Sequence, residues 1–246
     1  MRNVLIFGAT SAIAHATARR MVARGCHVFA VGRNPDKLDA LLADLRVRAG
    51  PQQIIAGAQA DLDRIDGHRA LFDAAMQALG GIDTVLIAHG VLPEQSACEQ
   101  SVEALLAALH TNGSSAIALA AEAARRLSSP GTIAAIGSVA GDRGRQSNYA
   151  YGAAKGMLDR YLQGLRNRLR ARSIQVLMVK PGFVDTPMTA GFARKGPLWA
   201  SADRIAGGIV AAIERRRDVV YLPWFWRPIM LIVQHIPERV FKRLSL

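Results

Sequence analysis

The sequence predicts an α/β domain organised on one parallel sheet of about seven strands, with helices on both faces. Short apolar runs rich in β-branched residues recur at Val4–Phe7, Cys26–Val31, Gln53–Ala58, Thr84–Ala88, Gly131–Ile136, Gln175–Val179 and Val219–Leu222. Between them apolar residues fall at helical spacing, as in Leu38, Leu41, Leu42 and Leu45, or in Leu158, Tyr161, Leu162, Leu165 and Leu169. No repeat, low-complexity tract or Gly/Ser linker divides the 246 residues, and a 50% hydrophobic content is ample for one core. Residues 1–222 are therefore read as one domain and residues 223–246 as a tail of different character.

Lys and Arg number 31 against 19 Asp and Glu, a formal net charge of +12, which favours partners carrying phosphate or other negative charge. Basic residues such as Arg166, Arg168, Arg170 and Arg172 read as a solvated helix face, and no nucleic-acid partner is expected. The two cysteines, Cys26 and Cys98, have no paired metal-ligand spacing around them, so the expectation is a reduced, cytoplasmic setting and no metal. Met1 leads directly into the first strand without the charged, apolar and small-residue order of a secretory signal. The apolar run Ile229–Val233 is far too short for the ~20 residues a membrane-spanning helix needs, and no span is expected.

The first strand runs into Gly8-Ala9-Thr10-Ser11-Ala12-Ile13-Ala14 and then an alanine-rich helical stretch. A strand, a tight turn of small residues and a helix N-terminus make an anion site, because a pyrophosphate must approach backbone N–H groups closely. Gly8 makes the turn, and Thr10, Ser11, Ala12 and Ile13 are candidate contacts; the same small residues also suit plain helix–sheet packing. Rossmann-type, doubly wound sheets that bind NAD usually place Asp or Glu at the end of the second strand. Here the sequence reads Val31-Gly32-Arg33-Asn34, and the Arg33 guanidinium, helped by the Ser11 hydroxyl, offers donors to a 2′-phosphate. NADPH or NADP+ is thus expected over NADH, the competing reading of Arg33 being a solvated loop cation. After the third strand, Asp61-Leu62 places a carboxylate either near an adenine amino group or at the start of the next helix as a cap.

Tyr151-Gly152-Ala153-Ala154-Lys155 sets a phenol and an ammonium four residues apart, on one helix face. Tyr149 fails the same test, since residue 153 is Ala. A free tyrosine titrates near 10, and a neighbouring cation is expected to lower that value. Ser138 lies 13 residues upstream at a strand end, where open α/β sheets bind ligands. Its hydroxyl can polarise a carbonyl that the tyrosine protonates, with hydride coming from a nicotinamide. His89, beside the same cleft but without partner ligands, reads as structural.

In this order the motifs resemble the short-chain dehydrogenase/reductase family, over nearly the whole chain to about Leu222. The resemblance matches Gly8–Ala14 to the family's glycine-rich turn, and Ser138, Tyr151 and Lys155 to its catalytic residues. It makes Asn112 the fourth catalytic member, holding a water that links the lysine to solvent; local sequence also fits a helix N-cap. It sets Pro181, Gly182, Val184 and Thr186 beside the nicotinamide, and Gly90 at the cofactor, in a segment reading Ile87-Ala88-His89-Gly90 where the family has Asn-Asn-Ala-Gly. Ala12 and Ala14 also replace usual glycines. The implied activity is NADP(H)-dependent reduction of a ketone or aldehyde, or the reverse; a non-catalytic NADP(H)-binding or scaffold protein is the alternative. Family members usually pair through the helices bearing Asn112 and Tyr151, so a homodimer or tetramer is implied.

The tail alternates Trp224, Phe225 and Trp226 and an apolar stretch with Arg227, His235, Arg239, Lys242 and Arg243. This composition suits peripheral contact with a membrane, here at its inner face, or a flap over the substrate pocket or against another subunit. With the first turn and Gly90-Val91-Leu92-Pro93, the tail more loosely resembles the branch that reduces a decaprenylphosphoryl keto-pentose. A lipid-linked keto-sugar, or another small or amphipathic carbonyl compound, is the substrate class this implies.

Overall fold

Strand β1 (Asn3–Phe7) is apolar along both faces, which suits only a sheet covered twice. In the computed structural model, which describes residues 3–192 and 196–244, it is an inner strand of that sheet, paired on both sides. The chain continues through α1 (Ala12–Val22), β2 (His27–Gly32), α2 (Pro35–Arg48), β3 (Ile55–Gln59), α3 (His68–Leu79), β4 (Thr84–Ile87), α4 (Gln95–Gln100), α5 (Val102–Leu109) and α6 (Ser115–Arg126). It then runs through β5 (Gly131–Ile136), α7 (Tyr149–Leu169), β6 (Ile174–Pro181), β7 (Phe183–Asp185), β8 (Trp199–Ser201), α8 (Ala202–Glu214), β9 (Val219–Leu222), α9 (Trp226–His235) and α10 (Glu238–Phe241).

Seven strands form the expected sheet in the order β3-β2-β1-β4-β5-β6-β9, every pairing parallel. The chain reverses its direction of travel between β1 and β4, which opens a crevice at the strands' C-terminal ends. Leu71, Phe72, Leu119, Leu158, Leu162 and Leu165 cover one face, and Ala14, Ala18, Leu41, Leu45, Ile205 and Ile209 the other. The expected leucine stripes of α2 and α7 are buried. β3 begins two residues later than its apolar run suggests, because the Gln53 side chain closes the preceding turn. Its amide donates to the carbonyls of Val22 and Cys26 at 2.9 and 2.8 Å.

Two features depart from the sequence reading. A separate two-stranded sheet pairs β7 with β8, with Phe183 stacked on Trp199 at 5.3 Å between centroids. The other is Val102–Arg126, a continuous helical run of 25 residues that is long and apolar enough, by length and composition alone, to cross a membrane. Its inner side is packed into the domain, burying Asn112, Ala116, Leu119, Ala120 and Ala123. Nor are the basic residues of the α7 end simply solvated. Arg166 donates to the Val176 and Asp218 carbonyls, and Arg172 to those of Ala124 and Leu127.

The tail is clamped rather than loose. Arg143 donates to the carbonyls of Val233, Gln234 and Ile236 at 2.7, 3.2 and 2.6 Å and to Glu238 at 3.0 Å. It satisfies acceptors that the end of α9 leaves open, and its guanidinium lies 3.6 Å from the Phe241 ring centroid. Trp226 and Met230 pack with Val139, Phe183 and Tyr221.

Candidate active site

The turn after β1 places Gly8 at φ +73, a conformation that favours glycine, with the His89 backbone directly behind it. Ser11 caps α1, its hydroxyl oxygen accepting from the Ala14 amide at 3.3 Å while its own proton stays available. The first-turn amides of Ala12 and Ile13 have no partner within the helix, and both residues line the crevice. Ala14, where a glycine is usual, is fully buried in the helix–sheet packing.

A cavity of about 470 Å³ runs from this turn across the sheet edge, and Gly8, Thr10, Ser11, Ala12 and Ile13 line one end of it. Arg33 lines it too, with Asn34 and Lys37, two neighbours the sequence reading passes over. Asn34 caps α2 through the Lys37 amide at 2.9 Å, so the first turn of that helix delivers the Lys37 side chain to the same rim as Arg33. Asp61 and Leu62 line the opposite wall. Asp61 caps no helix: its carboxylate accepts the Asp63 amide at 3.2 Å and shapes a turn. The Leu62 side chain is buried, and its carbonyl accepts from Ser115 at 2.6 Å and pairs with His68 at 2.8 Å.

That pairing settles the His89 tautomer. Ser115 gives its single proton to Leu62, so at 3.0 Å it must accept from His89 Nε2, leaving Nδ1 as an acceptor. Burial first, and then the nearby Lys155 charge, push the imidazole down to about 3, so it is neutral. Its Nδ1 is buried on the cavity wall without a hydrogen-bond partner among the described residues.

The chemical residues meet at the other end. Ser138 follows β5 by two residues and caps the short turn Val139–Gly141; its oxygen accepts the Ala140 amide at 3.1 Å, which leaves its proton to donate. A Cβ on Gly141 would lie 2.8 Å from the Gly156 backbone, so only small residues let α7 come close enough to bring Tyr151 beside Ser138. Lys155, one turn on, is buried, with Nζ 5.6 Å from the Tyr151 ring centroid and 3.3 Å from the Ile136 carbonyl it donates to. Tyr149 is on the surface and reaches Glu99 instead.

Asn112 is not an N-cap. It sits in a π-helical turn, His110–Ser114, between α5 and α6, where it is fully buried and set back from the cavity. Its amide donates to the Ala108 carbonyl and its oxygen accepts the Val91 amide, both at 3.0 Å. Gly90, at φ +154, passes between Asn112 and Lys155. A Cβ there would come within 2.7 Å of the Asn112 oxygen and 3.3 Å of the Lys155 Nζ.

One expectation is reversed. Burial pushes Tyr151 up to about 12, offset in part by the Ser138 hydrogen bond, and it also pushes Lys155 down to about 8. With both groups withdrawn from water, loss of hydration outweighs the pull of a lysine 5.6 Å from the ring.

Pro181, Gly182, Val184 and Thr186 line the cavity as expected, and β7–β8 holds that segment in place. The Thr189 hydroxyl donates to the Val184 carbonyl at 2.6 Å and accepts from the Thr186 amide at 3.2 Å. Among the described residues none of the tail lines the cavity. It buttresses Val139 and Phe183 from behind, so it is not a flap over the pocket.

Residues 2–196 match the short chain dehydrogenase family. An uncharacterised oxidoreductase of Mycobacterium tuberculosis is 32% identical over 98% of this chain and 96% of its own length. One from Streptomyces coelicolor is 30% identical over 99% and 96%. A short chain dehydrogenase of Burkholderia cenocepacia, solved in complex with NADP, superposes with a TM-score of 0.80 at 25% identity, over 89% of this chain and 95% of that one.

Proposed function

The chain belongs to the short chain dehydrogenase family, and on that premise we propose that it is an NADPH-dependent reductase of ketones or aldehydes. The observation that carries this reading is that Ser138, Tyr151 and Lys155 close one end of the cavity whose other end is the α1 N-terminus with Arg33 and Lys37.

The residues present fit the dinucleotide. The first-turn amides of α1 and the small side chains around them would hold the pyrophosphate. Arg33 and Lys37, exposed and in no ion pair among the described residues, would take a 2′-phosphate, with the Ser11 hydroxyl nearby. The buried His89 Nδ1 would accept a hydrogen bond from the bound molecule. When bound, the nicotinamide supplies hydride to the carbonyl carbon. The protein's part is to hold the carbonyl oxygen with the Ser138 hydroxyl and give it the Tyr151 proton. A phenol pushed up to about 12 by burial keeps that proton at neutral pH, so the acid that reduction needs is in place. Lys155 places a compact cation behind the phenol, and Asn112 fixes the Gly90–Val91 backbone against it.

The test is an NADPH-oxidation screen over carbonyl compounds, run beside NADH, with the Arg33→Ala variant. Loss of the guanidinium should weaken NADPH about 10- to 100-fold, the worth of charge-assisted hydrogen bonds, and leave NADH nearly unchanged. An equal loss for both coenzymes would remove Arg33 from 2′-phosphate recognition.

A second observation favours contact with lipid. Trp224, Ile232 and Leu231 are 74, 68 and 58% exposed on the outer side of the tail, beside the exposed Arg227. Aromatic, aliphatic and basic side chains together suit the head-group boundary of an anionic membrane, where a lipid-linked keto compound would be met. Co-sedimentation with anionic vesicles should fall severalfold in a variant carrying serine at these three apolar positions. Unchanged sedimentation would reject the membrane role.

A further inference from the structure

Between Ser138 and Tyr151 the chain carries two arginines with opposite fates. Arg143 is saturated by three carbonyls, one carboxylate and an aromatic ring. Arg145, two residues on, lines the cavity, and its guanidinium has neither a hydrogen-bond partner nor a carboxylate among the described residues. Its Nε is fully buried and unsatisfied. The other half-buried arginines among the described residues are occupied: Arg166 by backbone carbonyls, Arg20 by Asp203 and Arg126 by Glu122.

A guanidinium held partly out of water without a counter-charge is costly, and the usual compensation is a carboxylate. The two carboxylates that line the cavity, Asp61 and Asp63, belong to the segment after β3, and Asp63 already accepts the Thr111 hydroxyl at 2.7 Å. Asn148, which closes a turn onto the Arg145 carbonyl at 3.1 Å, lines the same stretch and has a buried amide oxygen without a partner. Two neighbouring side chains on the wall that carries Ser138 and Tyr151 therefore lack what a ligand would bring: an anionic acceptor and a hydroxyl donor.

We infer that Arg145 is the substrate-anchoring residue of this site, and that the carbonyl compound carries an anionic oxygen group, carboxylate or phosphate, seated on its guanidinium with a hydroxyl of the same molecule on Asn148. The inference rests on the proposed reductase reading and deepens it. The 2′-phosphate of the coenzyme is a poor candidate for this anion, since Arg33 and Lys37 stand at the opposite end of the cavity. Burial lowers the Arg145 guanidinium with no neighbouring charge to offset it, in keeping with a position whose partner arrives with the ligand.

The experiment compares wild type with Arg145→Met and Arg145→Lys using matched carbonyl probes. Phenylglyoxylate against its methyl ester tests carboxylate, and dihydroxyacetone phosphate against dihydroxyacetone tests phosphate. The ratio of kcat/KM for the charged over the neutral member should favour the charged probe in one pair. It should fall about 10- to 100-fold in Arg145→Met, mostly through KM, with Arg145→Lys between, because an ammonium keeps the charge and loses the fork. Calorimetry on the NADP+-loaded protein gives a readout without turnover: benzoate or phenyl phosphate should bind wild type and bind the Met variant at least tenfold more weakly. The thermal midpoint of Arg145→Met should equal or exceed that of wild type, since an unpaired buried charge is removed. A ratio that does not change, or a variant that loses stability and both members of a pair equally, would overturn the anchoring role. Failure of the protein to bind NADPH, or to turn over any carbonyl tested, would instead overturn the reductase reading beneath it.

Discussion

Tyr151→Phe is expected to lower kcat by about a thousandfold, in the middle of the range for loss of a positioned general acid, while NADPH binding stays within about twofold of wild type. The phenol hydroxyl is the only part removed, and the ring on α7, with the Lys155 Nζ 5.6 Å from its centroid, remains. Because burial holds Tyr151 at about 12, wild type has its proton in place across the neutral range. The reductive rate should therefore not collapse at neutral pH for want of a protonated tyrosine. The variant also leaves the Ser138 hydroxyl without its partner, so a residual rate reports what Ser138 and binding alone provide. Stopped-flow NADPH oxidation, with coenzyme fluorescence as the binding control, checks both halves. Turnover close to wild type would take the proton from Tyr151, and the non-catalytic reading would gain if wild type bound NADPH and reduced nothing.

The parts of this site that could be read from sequence are those where chemistry lies in local spacing. Tyr151 and Lys155 are four residues apart on one helix, and Gly8 to Ile13 follow a strand directly, so helix geometry and a turn suffice to place them. Asn112 was legible only through family likeness, because a π-helical turn shifts the register that ordinary helical spacing assumes. Lys37 reaches the rim because Asn34 caps α2, a pairing that looks like an ordinary helix start in sequence. Arg145 was hidden among 31 basic residues. What distinguishes it is the lack of a partner, and composition cannot show which cations are paired. The upward displacement of Tyr151 was missed for a related reason: spacing reveals the neighbouring lysine but not the water lost around both groups. β7 and β8 are only three residues each and pair across Pro187–Thr189 and the segment that follows, too short for a periodicity to register.

Lys180→Met should destabilise the fold by about 3–5 kcal/mol, the cost of breaking a buried ion pair from one side, or roughly 10 °C in thermal midpoint for a domain of this size. Lys180 is buried at the end of β6, 2.6 Å from Asp142 and 2.9 Å from Asp159, and the Tyr221 hydroxyl donates to Asp142 at 2.9 Å. One ammonium thus ties the loop after Ser138 to α7, β6 and β9, and methionine would leave two carboxylates with no cation between them. Burial alone would push this lysine down, but the two carboxylates outweigh it and its pKa lies above the ordinary lysine value. A folded value above the unfolded one means the stabilisation is complete below the usual lysine range and fades as pH rises through the raised value. The stability gap between wild type and variant, followed by urea unfolding, should be constant from pH 6 to 9 and narrow only in strong alkali. Adding Asp159→Asn to the Met variant removes one of the stranded charges and should recover part of the loss, a coupling expected only of groups in direct contact. Because Asp142 also shapes the turn that presents Ser138, catalysis should fall in the Lys180 variant and return in step with stability. A gap that was small, or that closed below pH 8, would show that the loop after Ser138 is held by packing and not by this charge cluster.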